Sequence, residues 1–202
     1  MTRQEIEDAI EKIAKSAFAY LYDAYRGETK AGVIFPKYRN KSDLRVSEQE
    51  MRFAFVEAMR KHQCAKNWNY SVETPTRRKY DFQGEEPKVI ENGKKGGRSA
   101  QFDLTIYEGG NLDKVLAHIE FKAHGGTSEF NFRKDFCKLA NDTDSKDIAL
   151  FFIQIFRGFK DITLSRVNEK LEKCEGRGEA GIKCLFFSLD KNKEPIDGID
   201  WK

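Results

Sequence analysis

Residues 115–123 read VLAHIEFKA, an apolar nonapeptide with a polar side chain at positions 118, 120 and 122. In an extended strand Ala117, Ile119, Phe121 and Ala123 share one face, while His118, Glu120 and Lys122 share the other. So apolar a strand belongs in the middle of a sheet, where a glutamate and a lysine are costly unless something pairs with them. The segment just upstream, QFDLTIY (Gln101 to Tyr107), alternates as a half-buried strand does and carries Asp103. Gly109-Gly110-Asn111 between the two predicts a hairpin, which makes them antiparallel neighbours and lets Asp103 approach Glu120. Two carboxylates at one sheet edge with a lysine beside them form a divalent-cation site. The competing reading is an internal salt bridge of Glu120 with Lys122 or of the lysine with Asp103; buried ion pairs add little stability, so the cation reading is preferred. An acid two residues before a lysine occurs five times in the chain, and only the Glu120 copy lies inside an apolar strand preceded by another strand bearing an aspartate.

The rest of the chain extends this unit in both directions. Downstream, Phe132, Phe136 and Leu139 fall at helical spacing within Ser128 to Ala140, and an apolar strand follows at Ile148 to Phe156, a strand–helix–strand order that favours a parallel crossover. A helix over Thr163 to Glu175 and a strand over Ile182 to Leu189 come last. Upstream, Ile6, Ile10, Ile13, Ala14, Ala17, Leu21 and Ala24 mark an amphipathic helix from Arg3 to Tyr25. A polar connector runs to Arg45, and Ser47 with Glu50 three positions on is a capping box that opens a second helix ending near Gln63. Trp68 to Phe82 reads as an extended, hairpin-like segment broken by Pro75. The expected fold is α/β, a central mixed β-sheet flanked by helices with an extra N-terminal amphipathic helix. At 202 residues it is expected to be one domain, with 1–45 as helix and connector and 46–190 as core.

Composition narrows the class further. The longest apolar run, Ile148 to Phe156, is half of what a membrane helix needs, so no membrane span is expected. The polar, acidic N-terminal segment lacks the layout of a targeting peptide, and the four cysteines are scattered without a Cys-x-x-Cys pair. Both point to a cytoplasmic protein. The net charge of +3 indicates no partner by itself. Between Thr74 and Arg98, however, Arg77, Arg78, Lys79, Lys88, Lys94, Lys95 and Arg98 outnumber four acids, and glycines at 93, 96 and 97 loosen the backbone. That stretch is either a solvated loop or a basic clamp for phosphates. No nucleophile elbow, phosphate-binding glycine loop or zinc-type spacing is present.

Asp103, sixteen intervening residues and Glu120-Phe121-Lys122, on two neighbouring strands after a helix that bears acids, resemble the PD-(D/E)XK nuclease superfamily with its restriction-endonuclease-like core. The resemblance covers roughly residues 47 to 189, although Phe102 stands where the literal motif has proline. It implies a metal-dependent nuclease, here a deoxyribonuclease and endonuclease of restriction or defence, with RNA as the other substrate. Asp103, Glu120 and the Phe121 backbone carbonyl would bind one or two Mg²⁺ or Mn²⁺ ions. Glu50, or Glu57 seven residues on, would supply the helix carboxylate, and Lys122 would orient or help deprotonate the attacking water. Lys138, with Arg133 and Lys134, resembles the basic residues this fold carries on the helix after the motif, and joins Arg77, Arg78, Lys79, Lys94, Lys95 and Arg98 as the expected DNA-binding set. A homodimer would suit double-strand cleavage. The alternative is a non-catalytic nucleic-acid-binding or assembly module on the same fold.

Overall fold

Helix α1 (Arg3–Arg26) starts at a capping box in which Thr2 accepts the Glu5 N–H and the Glu5 carboxylate accepts the Thr2 N–H at 2.7 Å. It stops at Gly27, whose φ of +72° suits a residue without a side chain. The computed structural model describes residues 1–27, 32–37, 44–84, 86–91, 96–123, 128–142, 145–158, 161–174 and 180–190, with the side chains of 161–164 left aside. Helix α2 (Glu48–Lys61) packs against α1, and together they cover one face of the sheet.

Among the described residues the sheet has six strands: β1 (Trp68–Asp81), β2 (Lys88–Ile90), β3 (Arg98–Glu108), β4 (Val115–Ala123), β5 (Ala149–Phe156) and β6 (Ile182–Ser188). Their order is β2-β1-β3-β4-β5-β6; the pairs from β2 to β4 are antiparallel, and β4-β5 and β5-β6 are parallel. Helix α3 (Glu129–Asn141) links β4 to β5, and α4 (Asp161–Glu172) links β5 to β6. Phe132, Phe136 and Leu139 of α3 and Val167 and Leu171 of α4 cover Leu150, Phe152, Phe156 and Phe186 on the second face. Strand β5 is buried along its whole length, as a parallel strand covered on both sides must be. The expected α/β class, the mixed sheet flanked by helices, the β3-β4 hairpin and the parallel β4-β5 crossover are all present.

One expectation is corrected. Trp68 to Phe82 is no hairpin: β1 runs straight through Pro75, and its register against β3 shifts by two residues between Pro75 and Lys79. The extra residues are held by side chains in place of the ladder. The Thr76 hydroxyl donates to the Arg78 carbonyl at 2.8 Å and accepts the Ala100 N–H at 2.9 Å. Asp142, at the end of α3, accepts the N–H groups of Arg77 and Arg78 at 3.1 and 3.0 Å. The hairpin partner of β1 is instead β2, a strand of three residues that is too short to announce itself by alternation.

The apolar stripe of α1 is spent inside the chain, where Ile6, Ile10, Ile13, Ala14, Ala17 and Leu21 are buried and Phe18 stacks on Phe187 with centroids 4.6 Å apart. Polar ties reinforce it: Arg3 donates to the Gly181 and Lys146 carbonyls at 2.6 and 3.1 Å, and Lys183 pairs with Glu7 at 3.3 Å and Glu11 at 2.6 Å. This stripe therefore offers nothing to a second copy. Among the described residues, no helix is long and apolar enough to cross a membrane.

The β3-β4 hairpin holds one position closed to any side chain, since a Cβ on Gly109 would lie 2.0 Å from the Asn67 carbonyl oxygen. The Gly109→Ala substitution is expected to lower the unfolding free energy by about 1–3 kcal/mol, measured by urea denaturation, because backbone rather than a side chain must move.

Candidate functional site

Strands β3 and β4 pair from Tyr107–Val115 to Leu104–Ile119 and then part. At the fork, the carboxylate of Asp103 replaces the main-chain acceptor: its Oδ2 accepts the Phe121 N–H at 2.7 Å. Pairing also fails on the other side of Asp103, where Val72–Leu104 and Thr74–Phe102 are partners but Glu73, between them, has a φ of +51°. Left-handed backbone costs a glutamate of order 1–3 kcal/mol, so the surroundings must hold it. Arg52 of α2, buried, spans the gap: it donates to the Asp103 carbonyl at 3.4 Å and lies 4.0 Å from the Glu73 carboxylate.

The fork opens a cleft of about 570 Å³ lined by Asp103, Glu120, Lys122, Asp135, Lys138 and neighbouring residues. As alternation predicts, Glu120 and Lys122 lie on the face opposite Ile119 and Phe121 and meet α3, and Lys122 also reaches the first residue of α2. Lys138 of α3 reaches Glu120 at 2.6 Å and Asp135 at 2.9 Å, and Lys122 reaches Asp135 at 2.8 Å and Glu48 at 3.6 Å. Carboxylates and ammoniums thus alternate as Glu120, Lys138, Asp135, Lys122, Glu48. With Asp103, four carboxylates face two ammoniums.

The titration of these groups reflects that imbalance. Burial, then the negative charge of Asp135, pushes the Glu120 carboxyl well above the ordinary carboxylate range. Burial, with the charges of Asp103 and Asp135, raises Glu48 against the pull of Lys122. Despite its burial, Asp135 is held below the usual range by Lys138 and Lys122. Lys122 is raised against its burial by Asp135, Glu120 and Glu48, and Lys138 by Glu120 and Asp135, so both stay ammoniums.

The residues expected from sequence divide. Asp103, Glu120 and Lys122 come together in the cleft, and so does Arg98. Glu50 does not: its carboxylate accepts the Ser47 N–H at 2.7 Å and the Ser47 hydroxyl, and pairs with Arg45 at 3.3 Å. It is the helix cap that its spacing predicts. Glu57 lies on the surface, paired with Lys61 at 2.6 Å. The α2 carboxylate that faces Lys122 is Glu48, which sequence reasoning passed over. Positions 48, 51, 52, 55 and 59 share one helical face with the buried Met51, Phe55 and Met59, whereas 50 lies off it. Asp135 was missed too, although it sits at helical spacing among Phe132, Phe136 and Leu139, in the middle of an apolar face.

Of the expected DNA-binding cations, Lys138 lines the cleft but is buried and engaged within the charge chain. Arg77 and Arg78 line a separate groove of about 760 Å³ that also contains Glu91, Asp113, Asp142 and Asp147. Lys79 is exposed on β1, and Lys94 and Lys95 lie outside the described residues, as does His124. Lys134 lines the cleft and stands 5.2 Å from the Phe82 ring centroid. His118 is a core residue: its Nδ1 is 3.0 Å from the Thr105 hydroxyl, its ring stacks on Phe102, and burial lowers its pKa to about 3. Gln154 is buried in β5, in register with Lys122.

Oxygen ligands for a cation are present. Asp103 uses Oδ2 for Phe121, and Glu120 uses Oε1 for Lys138; among the described residues Oδ1 and Oε2 accept no hydrogen bond, and both side chains line the cleft. The donor set is all oxygen and carries excess negative charge, which suits a hard divalent cation.

Cap and cleft are separable by mutation. Glu50→Ala is expected to lower the unfolding free energy by about 0.5–2 kcal/mol, as loss of a cap does, while Glu48→Gln shifts it by less than about 0.5 kcal/mol, both measured by chemical denaturation. No family model, curated protein or solved structure matches the chain.

Proposed function

We propose that the chain is a metal-dependent nuclease with a restriction-endonuclease-like core, hydrolysing phosphodiester bonds of DNA. One observation carries the reading: the fork between β3 and β4 brings Asp103, Glu120 and Lys122 into one cleft, and Glu48 of α2 lies 3.6 Å from the Lys122 ammonium. The order of elements from α2 to β6 and the Asp103…Glu120-Phe121-Lys122 pattern agree with the resemblance.

Asp103 and Glu120 would hold the cation, and Glu48 would hold the Lys122 ammonium that it faces. Bound there, a divalent cation lowers the pKa of an attacking water and neutralises charge on the phosphoryl oxygens. Lys122, paired with Asp135 and Glu48, is a fixed ammonium; it donates to the scissile phosphate or the attacking water and takes no proton. Asp135 keeps that ammonium in the cleft. Arg98 and Lys134 line the same opening and meet the flanking phosphates, a contact that weakens with salt.

The test is cleavage of supercoiled, linear and single-stranded DNA with and without Mg²⁺ or Mn²⁺. Cleavage is expected to need the metal, to fall by about 10²-fold or more in Glu120→Gln, Lys122→Met and Glu48→Gln, and to persist in Glu50→Gln. Equal activity in wild type and Glu120→Gln would overturn the reading. Metal-independent DNA binding without cleavage would favour the non-catalytic module.

A further inference from the structure

The charge chain bears on how many cations the site takes. The Lys138 ammonium has three N–H donors and three oxygen acceptors: Glu120 Oε1 at 2.6 Å, Asp135 Oδ1 at 2.9 Å and the Gln101 carbonyl at 2.9 Å. Its side chain is 4% exposed, and those of Glu120 and Asp135 are 1% and 3% exposed, so water does not compete for these bonds. Two carboxylates and a carbonyl converging on one point would bind a hard cation, and here a cation is already covalently supplied by α3.

A second ion in that place would need the oxygens that Lys138 already holds.

We infer that the Lys138 ammonium fills the place of a second metal ion, so that the cleft binds a single divalent cation, through Asp103 and the other oxygen of Glu120. The inference rests on the metal-dependent reading above and assigns that site its stoichiometry. Lys138 then acts as a permanent partner of Glu120, orienting the carboxylate whose far oxygen meets the exchangeable ion.

The experiment is titration of the full chain with Mn²⁺ alone, without DNA, followed by calorimetry and by the electron paramagnetic resonance of free and bound Mn²⁺. Wild type is expected to bind one ion, with no magnetic coupling between ions at excess Mn²⁺. Lys138→Ala, checked for folding by circular dichroism, is expected to bind two, and Lys138→Arg one. Two coupled ions in the wild type would overturn the inference without recourse to any variant, as would a folded Lys138→Ala that still binds one. Binding of no ion by the wild type would instead remove the metal-dependent reading itself, and this stoichiometry with it.

Discussion

A single hydrogen bond, from the Phe121 N–H to the Asp103 carboxylate, fixes the geometry on which the rest of the cleft depends. In an unbroken ladder that amide would go to a main-chain carbonyl of β3, the strands would stay about 5 Å apart, and no cleft would exist between them and α3. With a side chain as acceptor, the strands part by the length of that side chain while no amide is left unsatisfied. The same bond spends one oxygen of Asp103 and turns the other toward the cleft. Arg52 on one side and the left-handed Glu73 on the other keep the parted strand in place.

The buried charges impose a second constraint. Each ion in the chain from Glu120 to Lys122 has lost most of its hydration, and only its neighbours replace it. Removing one of these four buried members leaves its partners as unpaired buried charges, a loss of about 3–5 kcal/mol in comparable networks, whereas the half-exposed Glu48 at the end of the chain is replaceable at little cost. An apolar set of similar volume would serve stability as well, so the buried ions are not explained by folding alone.

Much of this is legible in the sequence, for identifiable reasons. Alternation in β3 and β4 and the helical spacing of α1 and α3 follow from burial of one face, and burial is written in residue polarity. Asp103, Glu120 and Lys122 stand out because they are charges in apolar strands. Glu50 misled because it is an acid at the correct place for two tasks, and the capping box, already visible in Ser47 and Glu50, had claimed it. Lys138 misled in the opposite sense, since a lysine on a helix suggests solvent until its three acceptors are seen. The bulge of β1 was hidden because Asp142, which holds it, lies more than sixty residues away in the chain.

The attachment of α1 to β6 has a consequence for the order of assembly. Contacts between Arg3 and Gly181, and between Phe18 and Phe187, join segments separated by nearly the whole chain, and such pairings form slowly because a large loop must close first. During synthesis α1 leaves the ribosome with its apolar stripe bare, and part of the surface it needs, β6, is made only after β5 and α4. At about 5–20 residues per second, that interval lasts on the order of ten seconds or more. Until β6 is made, the part of the α1 stripe that meets Phe187 stays uncovered, although α2, made soon after α1, already packs on the helix.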